Sequence, residues 1–463
     1  MTRELLPTTS GPLDGGRKGW IFGSPDLDQV ATGLVMEEYL LSGEASAYDA
    51  VPGTDVGLDG LWSVEPSETR PYTTRAYVVR PADPSAFNGV ALVNWQNVTI
   101  GVDLGMPDLA QVKRGYAWVG VTTQRVAVEG QQPLGPQWPT TIGLREWDPE
   151  RYGSLDHPGD AHSYDIFSQA ARLLRESPSA LLGDLSPGIL IATGGSQSAM
   201  RLGSYINMVH QRDRLIDGFL LTVHWGHCPR PPDMTLVESF QLTDDSRPRG
   251  ISQIRDDGGV PILLVNSESE TTMMSAVRQP DSPTFRFWEL PGTAHASGAS
   301  ADSMAAVLTR DGLTGALEPV EGRNTVGWDY IADAALERLV EWIKTKTPPA
   351  SFPPIELEGG NGAIRRDEVG NAVGGVRLPE VVAPLAVHTG SNALGSVGGL
   401  QGESKPMSRA QIAARYSDRA AYVAAWDKAV DDLTSQGLVL DGAVLALKER
   451  GRDLAGSHFT HRA

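Results

Sequence analysis

Residues 189–203 read Ile-Leu-Ile-Ala-Thr-Gly-Gly-Ser-Gln-Ser-Ala-Met-Arg-Leu-Gly, and Ser196 within them is placed as a nucleophile would be. An apolar strand runs into small residues, then the serine, then a helix. The frame Gly194-Gly195-Ser196-Gln197-Ser198 is a variant of Gly-x-Ser-x-Gly with serine in place of the last glycine. A serine on so tight a strand-to-helix turn has its hydroxyl pushed out above the sheet. The residues two before and two after it pass close together and must be small, as Gly194 and Ser198 are. The following helix points its positive end at the serine, and the Gln197 N–H can donate to a developing oxyanion. A plain glycine-rich turn with an N-cap serine has the same local look. A phosphate loop does not, since its Gly-Lys-Ser/Thr ending is missing.

Chain order separates these readings. A nucleophile on such a turn finds its acid, and then its histidine, further along the chain. Residues 261–270, Pro-Ile-Leu-Leu-Val-Asn-Ser-Glu-Ser-Glu, form an apolar strand ending in two carboxylates, Glu268 and Glu270. Register favours Glu270 slightly as the acid, and Glu268 at the strand tip stays open. Residues 284–295 form another strand and a short loop that carries His295, the expected general base. The second oxyanion donor is expected from the loop after the strand at 90–95, as the backbone N–H of Gln96 or Asn97.

Other residues fall at the same sheet edge. His162, Tyr164 and Asp165 open the helix before the elbow strand. His162 and Tyr164 are expected to face substrate, and Asp165 to cap the helix. His224 and Trp225 follow the strand at 219–223 and are expected to line the pocket, with Pro136, Trp138 and Trp147 as further apolar wall. His224, His227 and Cys228 form a string that could suggest a metal. No second ligand pair of suitable spacing accompanies it, so neither metal nor cofactor is expected.

These residues need a scaffold, and the hydrophobic pattern supplies one. Strand-like runs occur at residues 34–41, 73–79, 90–95, 118–123, 188–192, 219–223, 261–265 and 285–289. Helical spacing occurs at 162–176, 198–210, 329–344 and through much of 408–447. Strands alternating with helices imply an α/β fold with a mostly parallel sheet covered on both faces. Residues 126–160 and 229–259 are insertions after strands, the first read as an ordered loop, the second with a helical centre. Ligands bind at that carboxyl edge in open α/β sheets. The expected organisation is an irregular lead-in over 1–30, a core over 31–346 and a C-terminal extension over 347–463 that packs on the core.

Of 463 residues, 39 are Lys or Arg and 57 Asp or Glu, a formal charge of −18. Such a surface repels phosphate backbones and anionic lipid, so nucleic-acid and membrane partners are not expected. The single cysteine, Cys228, cannot close an intrachain disulfide. The first residues lack the apolar core of a signal peptide, and no apolar stretch is long enough to span a bilayer. A cytoplasmic protein is the expectation.

The chain resembles a family of bacterial α/β-hydrolase domain proteins with a C-terminal extension, broadly described as esterases. The resemblance rests on Val93-Asn-Trp-Gln-Asn-Val-Thr, Ser163-Tyr-Asp-Ile-Phe-Ser-Gln, Gly194-Gly-Ser-Gln-Ser, Ser267-Glu-Ser-Glu, Glu289-Leu-Pro-Gly-Thr-Ala-His and Gly374-Gly-Val-Arg-Leu-Pro-Glu-Val. It implies the α/β-hydrolase fold, catalytic Ser196 and His295, and a glutamate of Ser-Glu-Ser-Glu as the acid, with Glu268 a serious candidate. It also implies that residues 355–463 belong to the same functional unit. The resulting expectation is hydrolysis of a small-molecule carboxylic ester or lactone through an acyl-enzyme. An acyltransferase on the same triad, a catalytically silent binding protein and a metal hydrolase using His224 and His227 are the other readings.

Overall fold

The computed structural model describes residues 6–25, 33–131, 141–243, 247–296, 298–313, 319–359, 362–393 and 399–459; Pro136 and Trp138 lie outside them. The chain divides into two compact units. The first comprises Met1–Ile262, Val277–Gln279 and Ala306–Leu313. The second comprises Leu263–Ala276, Pro280–Ala305 and Thr314–Ala463.

The strands of the first unit are β1 (Thr8–Ser10), β2 (Leu34–Ala50), β3 (Val64–Pro81), β4 (Val90–Trp95), β5 (Ala117–Val121), β6 (Ile189–Gly195) and β7 (Gly218–Thr222). They lie in the order β1-β2-β3-β5-β4-β6-β7. β4 runs parallel to both β5 and β6, and β6 parallel to β7. Strands buried on both faces read as nearly unbroken apolar runs, and β4 and β5 do. Two helices flank this sheet in sequence, α1 (Ser163–Glu176) before β6 and α2 (Gln197–Met208) after it.

Along the other edge β1, β2, β3 and β5 pair antiparallel. The β2–β3 hairpin extends from Leu34 opposite Pro81 to Ala50 opposite Val64, about twice the strand length the alternation shows. Its distal part buries Ala45, Ala47 and Tyr48, but Ser42, Gly43, Glu44 and Ser46 stand among them and break the apolar run that would mark a strand. β1 forms within the expected irregular lead-in.

Residues 126–160 are not a plain loop. Short helices occupy Arg125–Glu129, Leu144–Trp147 and Pro149–Tyr152. The last of them is held by buried charge: Glu38 of β2 accepts from Arg75 at 2.9 Å, Arg151 at 2.6 Å and the Tyr152 hydroxyl at 2.8 Å. Trp147 packs edge-on to Phe22 at 5.0 Å and donates to the Asp311 carbonyl, so it belongs to the core rather than to a pocket wall. The second insertion has the helix Leu236–Phe240 at its centre, closed by a Thr235–Glu238 capping box.

In the second unit, β8 (Ile262–Ser267, whose first residue belongs to the first unit) neighbours β9 (Phe285–Leu290). The helix α3 (Asp329–Thr345) buries Ile331, Ala335, Leu339 and Trp342. The extension contributes α4 (Arg419–Ser435) and α5 (Asp441–Phe459). Tyr422, Trp426, Val430 and Leu433 of α4 are buried in one stripe, and Trp426 donates to the Leu447 carbonyl at 2.8 Å. Among the described residues, no helix is long and apolar enough to cross a membrane.

Candidate active site

Ser196 lies in the first unit. Ser196 joins β6 to α2 with φ 58° and ψ −122°, in the left-handed half of conformational space where a side chain is costly. Such strain costs about 1–3 kcal/mol and persists where surrounding structure enforces it. Here the Ser196 N–H is held by the Thr222 carbonyl at 2.9 Å. A Cβ at Gly194 would lie 2.9 Å from Leu202 Cδ1 and 3.0 Å from the Ser198 carbonyl carbon, so only glycine fits. The Ser198 hydroxyl accepts from the Gly195 N–H at 3.0 Å and lies 2.8 Å from the Gly195 carbonyl, pinning the turn. Ser196 itself is half-buried.

The loop after β4 is tied to this turn. The Asn97 side-chain amide donates to the Gly195 carbonyl at 2.8 Å, and the Val98 N–H donates to Gln197 Oε1 at 3.3 Å. The two candidate donors of this loop differ. The Gln96 N–H is engaged by the Val121 carbonyl at 3.2 Å, whereas the Asn97 N–H has no acceptor among the described residues. The Gln197 N–H opens α2, where a backbone donor has no partner within the helix.

A buried polar chain stands behind Gln197. Its Nε2 donates to Gln124 Oε1 at 2.7 Å, which also accepts from Trp95 Nε1 at 3.2 Å. Gln124 donates to Asp160 at 3.0 Å, and Arg201 donates to the same carboxylate at 3.2 Å. Burial alone would raise the Asp160 pKa, but Arg201, His157 and the donors from Gln124 and Arg125 outweigh it and hold the carboxyl below its usual range. Sequence reasoning missed Gln124, Asp160 and Arg201 in this role, since they lie on three separated segments.

His295 and Glu270 lie in the second unit. His295 follows β9, and its Nδ1 is 2.6 Å from Glu270 Oε1. The other Glu270 oxygen accepts from the Ser267 N–H at 2.9 Å and the Ser267 hydroxyl at 2.7 Å, so the carboxylate is locked on both sides. The His295 N–H donates to the Ser269 hydroxyl at 2.9 Å. Glu268 points elsewhere: it accepts from the Gly292 N–H at 2.7 Å and pairs with Arg366 at 2.8 Å.

The other expected site residues are built into the packing of the first unit. Tyr164 stacks near Trp95 at 5.5 Å, and its hydroxyl accepts from Arg201 at 3.2 Å. The Asp165 carboxylate, in the first turn of α1, accepts from the Ser46 N–H of β2 at 2.7 Å. His162 is buried, and that burial lowers its pKa. His224 Nδ1 accepts from the Gly226 N–H at 3.0 Å; burial, with His227 nearby, pushes its pKa down to about 3. Trp225 is half-buried. Among the described residues, no group of three His, Cys, Asp or Glu side chains is arranged to hold a metal ion.

A family model described as alpha/beta hydrolase domain matches residues 9–449. A search of curated protein sequences returned no match. Among solved structures, a putative dienelactone hydrolase from Klebsiella pneumoniae is 14% identical, with 66% of this chain and 98% of that chain covered at a TM-score of 0.30. The esterase Est22 is 11% identical, with 62% and 81% covered at a TM-score of 0.31. Acetyl xylan esterase 1 from a Thermoanaerobacterium species is 10% identical, with 64% and 88% covered at a TM-score of 0.30.

Proposed function

This chain belongs to the alpha/beta hydrolase domain family, and on that premise we propose that it is a serine hydrolase cleaving a carboxylic ester or lactone through an acyl-enzyme. The observation that carries the reading is the strained Ser196 at φ 58°, fixed between residues that must be small. A second support is the His295–Glu270 pair at 2.6 Å, whose residues follow the serine in the required order.

In this mechanism the Ser196 hydroxyl attacks the acyl carbon and His295 takes its proton. With Nδ1 engaged by Glu270, Nε2 is the nitrogen that performs the transfer. Glu270 holds the imidazole in that tautomer and stabilises its cation. The N–H groups of Gln197 and Asn97 receive the oxyanion. Collapse of the tetrahedral intermediate breaks the bond to the alcohol oxygen, and His295 returns its proton to that oxygen. Water then repeats the sequence on the acyl-serine and releases the acid.

The test is hydrolysis of short p-nitrophenyl esters and simple lactones by wild type and Ser196→Ala. Removing the nucleophile of such a unit costs about 10⁶-fold in kcat. Turnover by Ser196→Ala at the wild-type rate would overturn the reading.

A further inference from the structure

Glu268 is nearly fully buried, and its carboxylate is bonded to Gly292, Arg366 and Gly390. Three elements far apart in sequence converge on its carboxylate. Oε2 accepts from Gly292 of the loop that carries His295, at 2.7 Å. Oε1 accepts from the Gly390 N–H at 3.3 Å and pairs with Arg366 at 2.8 Å, both in the extension. Gly390 lies so close that a Cβ there would be 2.4 Å from the Ser269 N and 2.7 Å from the Glu268 carbonyl carbon. The Ser269 hydroxyl donates to the Gly390 carbonyl while accepting from the His295 N–H.

The histidine loop has further ties to the residues that follow it. Asn324 donates to the carbonyls of Gly292 at 2.9 Å and Thr389 at 3.0 Å. Trp328 Nε1 donates to the Ala294 carbonyl at 3.1 Å, and the Ala296 N–H donates to Leu400 at 3.0 Å. These ties bind Gly292, Ala294 and Ala296 to the stretch 324–400.

We propose that the C-terminal extension is a positioning strap for the acid–histidine pair, with Arg366 and Glu268 as positioning residues whose ion pair fixes the two loops bearing Glu270 and His295. This rests on the serine-hydrolase reading above. The physical logic is that a buried carboxylate with one neutralising cation tolerates only one arrangement of its donors. The loops at 268–270 and 292–295 share that carboxylate and are set together.

The test uses full-length Arg366→Met, Arg366→Lys and Glu268→Gln, checked for folding by circular dichroism, with kcat and KM measured on p-nitrophenyl acetate. Misplacing a catalytic group by about 1 Å costs up to about 100-fold, so Arg366→Met and Glu268→Gln are expected to lose about 10- to 100-fold in kcat with KM nearly unchanged. Arg366→Lys, which keeps the cation, is expected to recover most of the loss. Folded Glu268→Gln with wild-type kcat would overturn the proposal, and this isosteric change stays informative if Arg366→Met fails to fold. So would an Arg366→Lys variant as slow as Arg366→Met, or a loss confined to stability or KM. Full activity of Ser196→Ala would instead remove the hydrolase reading, and the strap with it.

Discussion

Replacing Glu270 by glutamine separates geometry from charge at the proposed triad acid. The side chain keeps its size, but one oxygen becomes an NH2. On one side Glu270 receives two donors, the Ser267 N–H at 2.9 Å and the Ser267 hydroxyl at 2.7 Å. The backbone N–H of Ser267 can only donate, which fixes the polarity on that side. In Glu270→Gln the amide oxygen must therefore face Ser267, and the NH2 must face His295 Nδ1, which lies 2.6 Å from the carboxylate in the wild type. The imidazole is then forced to accept at Nδ1 and to carry its proton on Nε2, where it cannot take one from Ser196. The wrong tautomer costs about 10⁴-fold in kcat in the serine-protease triad, about 5 kcal/mol of barrier. Stability changes little, within about 1 kcal/mol, since the Ser267 bonds survive. Steady-state kinetics on p-nitrophenyl acetate, paired with a urea titration, measures both. A Glu270→Gln enzyme within about tenfold of wild-type kcat would refute the reasoning.

The same geometry sets other outcomes. Gly194→Val adds a branched side chain where even a Cβ sits 2.9 Å from Leu202, so it is expected to lose fluorophosphonate labelling and about 1–3 kcal/mol of stability in urea unfolding. Burial pushes the Cys228 thiol well above its ordinary pKa, so iodoacetamide should spare it in the folded protein and alkylate it in guanidinium, as mass spectrometry would report. Burial pushes His210 down to about 4 and His227 to about 4, below the ordinary 6.5. The unfolded chain therefore binds more protons in acid, and stability present above about pH 6.5 is lost as the pH falls toward 4. Urea midpoints should drop between neutral and mildly acid buffer, and His210→Phe should reduce that drop; an unchanged drop would contradict the assignment.

The parts of the fold that the chain itself announces are those buried on both faces. Residues 90–95 read as a strand and form one with the same limits, because Val-Ala-Leu-Val-Asn-Trp has no polar interruption until its end. The distal half of the β2–β3 hairpin mixes Ser42, Gly43, Glu44 and Ser46 with the buried Ala45, Ala47 and Tyr48, and buried residues so small or so scattered do not read as an apolar strand. The insertion at 126–160 hides helices of four or five residues, one of which, Pro149–Tyr152, is anchored to Glu38, more than a hundred residues earlier. The elbow is legible because its steric demand is local: Gly194 and Ser198 meet across a single turn. The choice between Glu268 and Glu270 is not local. Both are buried carboxylates after the same strand, and what distinguishes their surroundings is Arg366, 98 residues on, and His295, 25 residues on. The chain behind Gln197 was illegible for the same reason, since Gln124 and Asp160 meet it only in the folded unit.

The central claim is that Ser196 is an activated nucleophile. The most direct measurement treats wild type, Ser196→Ala and His295→Ala with a fluorophosphonate and maps the adduct by mass spectrometry. An activated Ser196 gives one phosphonylated residue, Ser196, in wild type and no adduct in either variant. An unlabelled but folded wild type, or an adduct on a different serine, would contradict it.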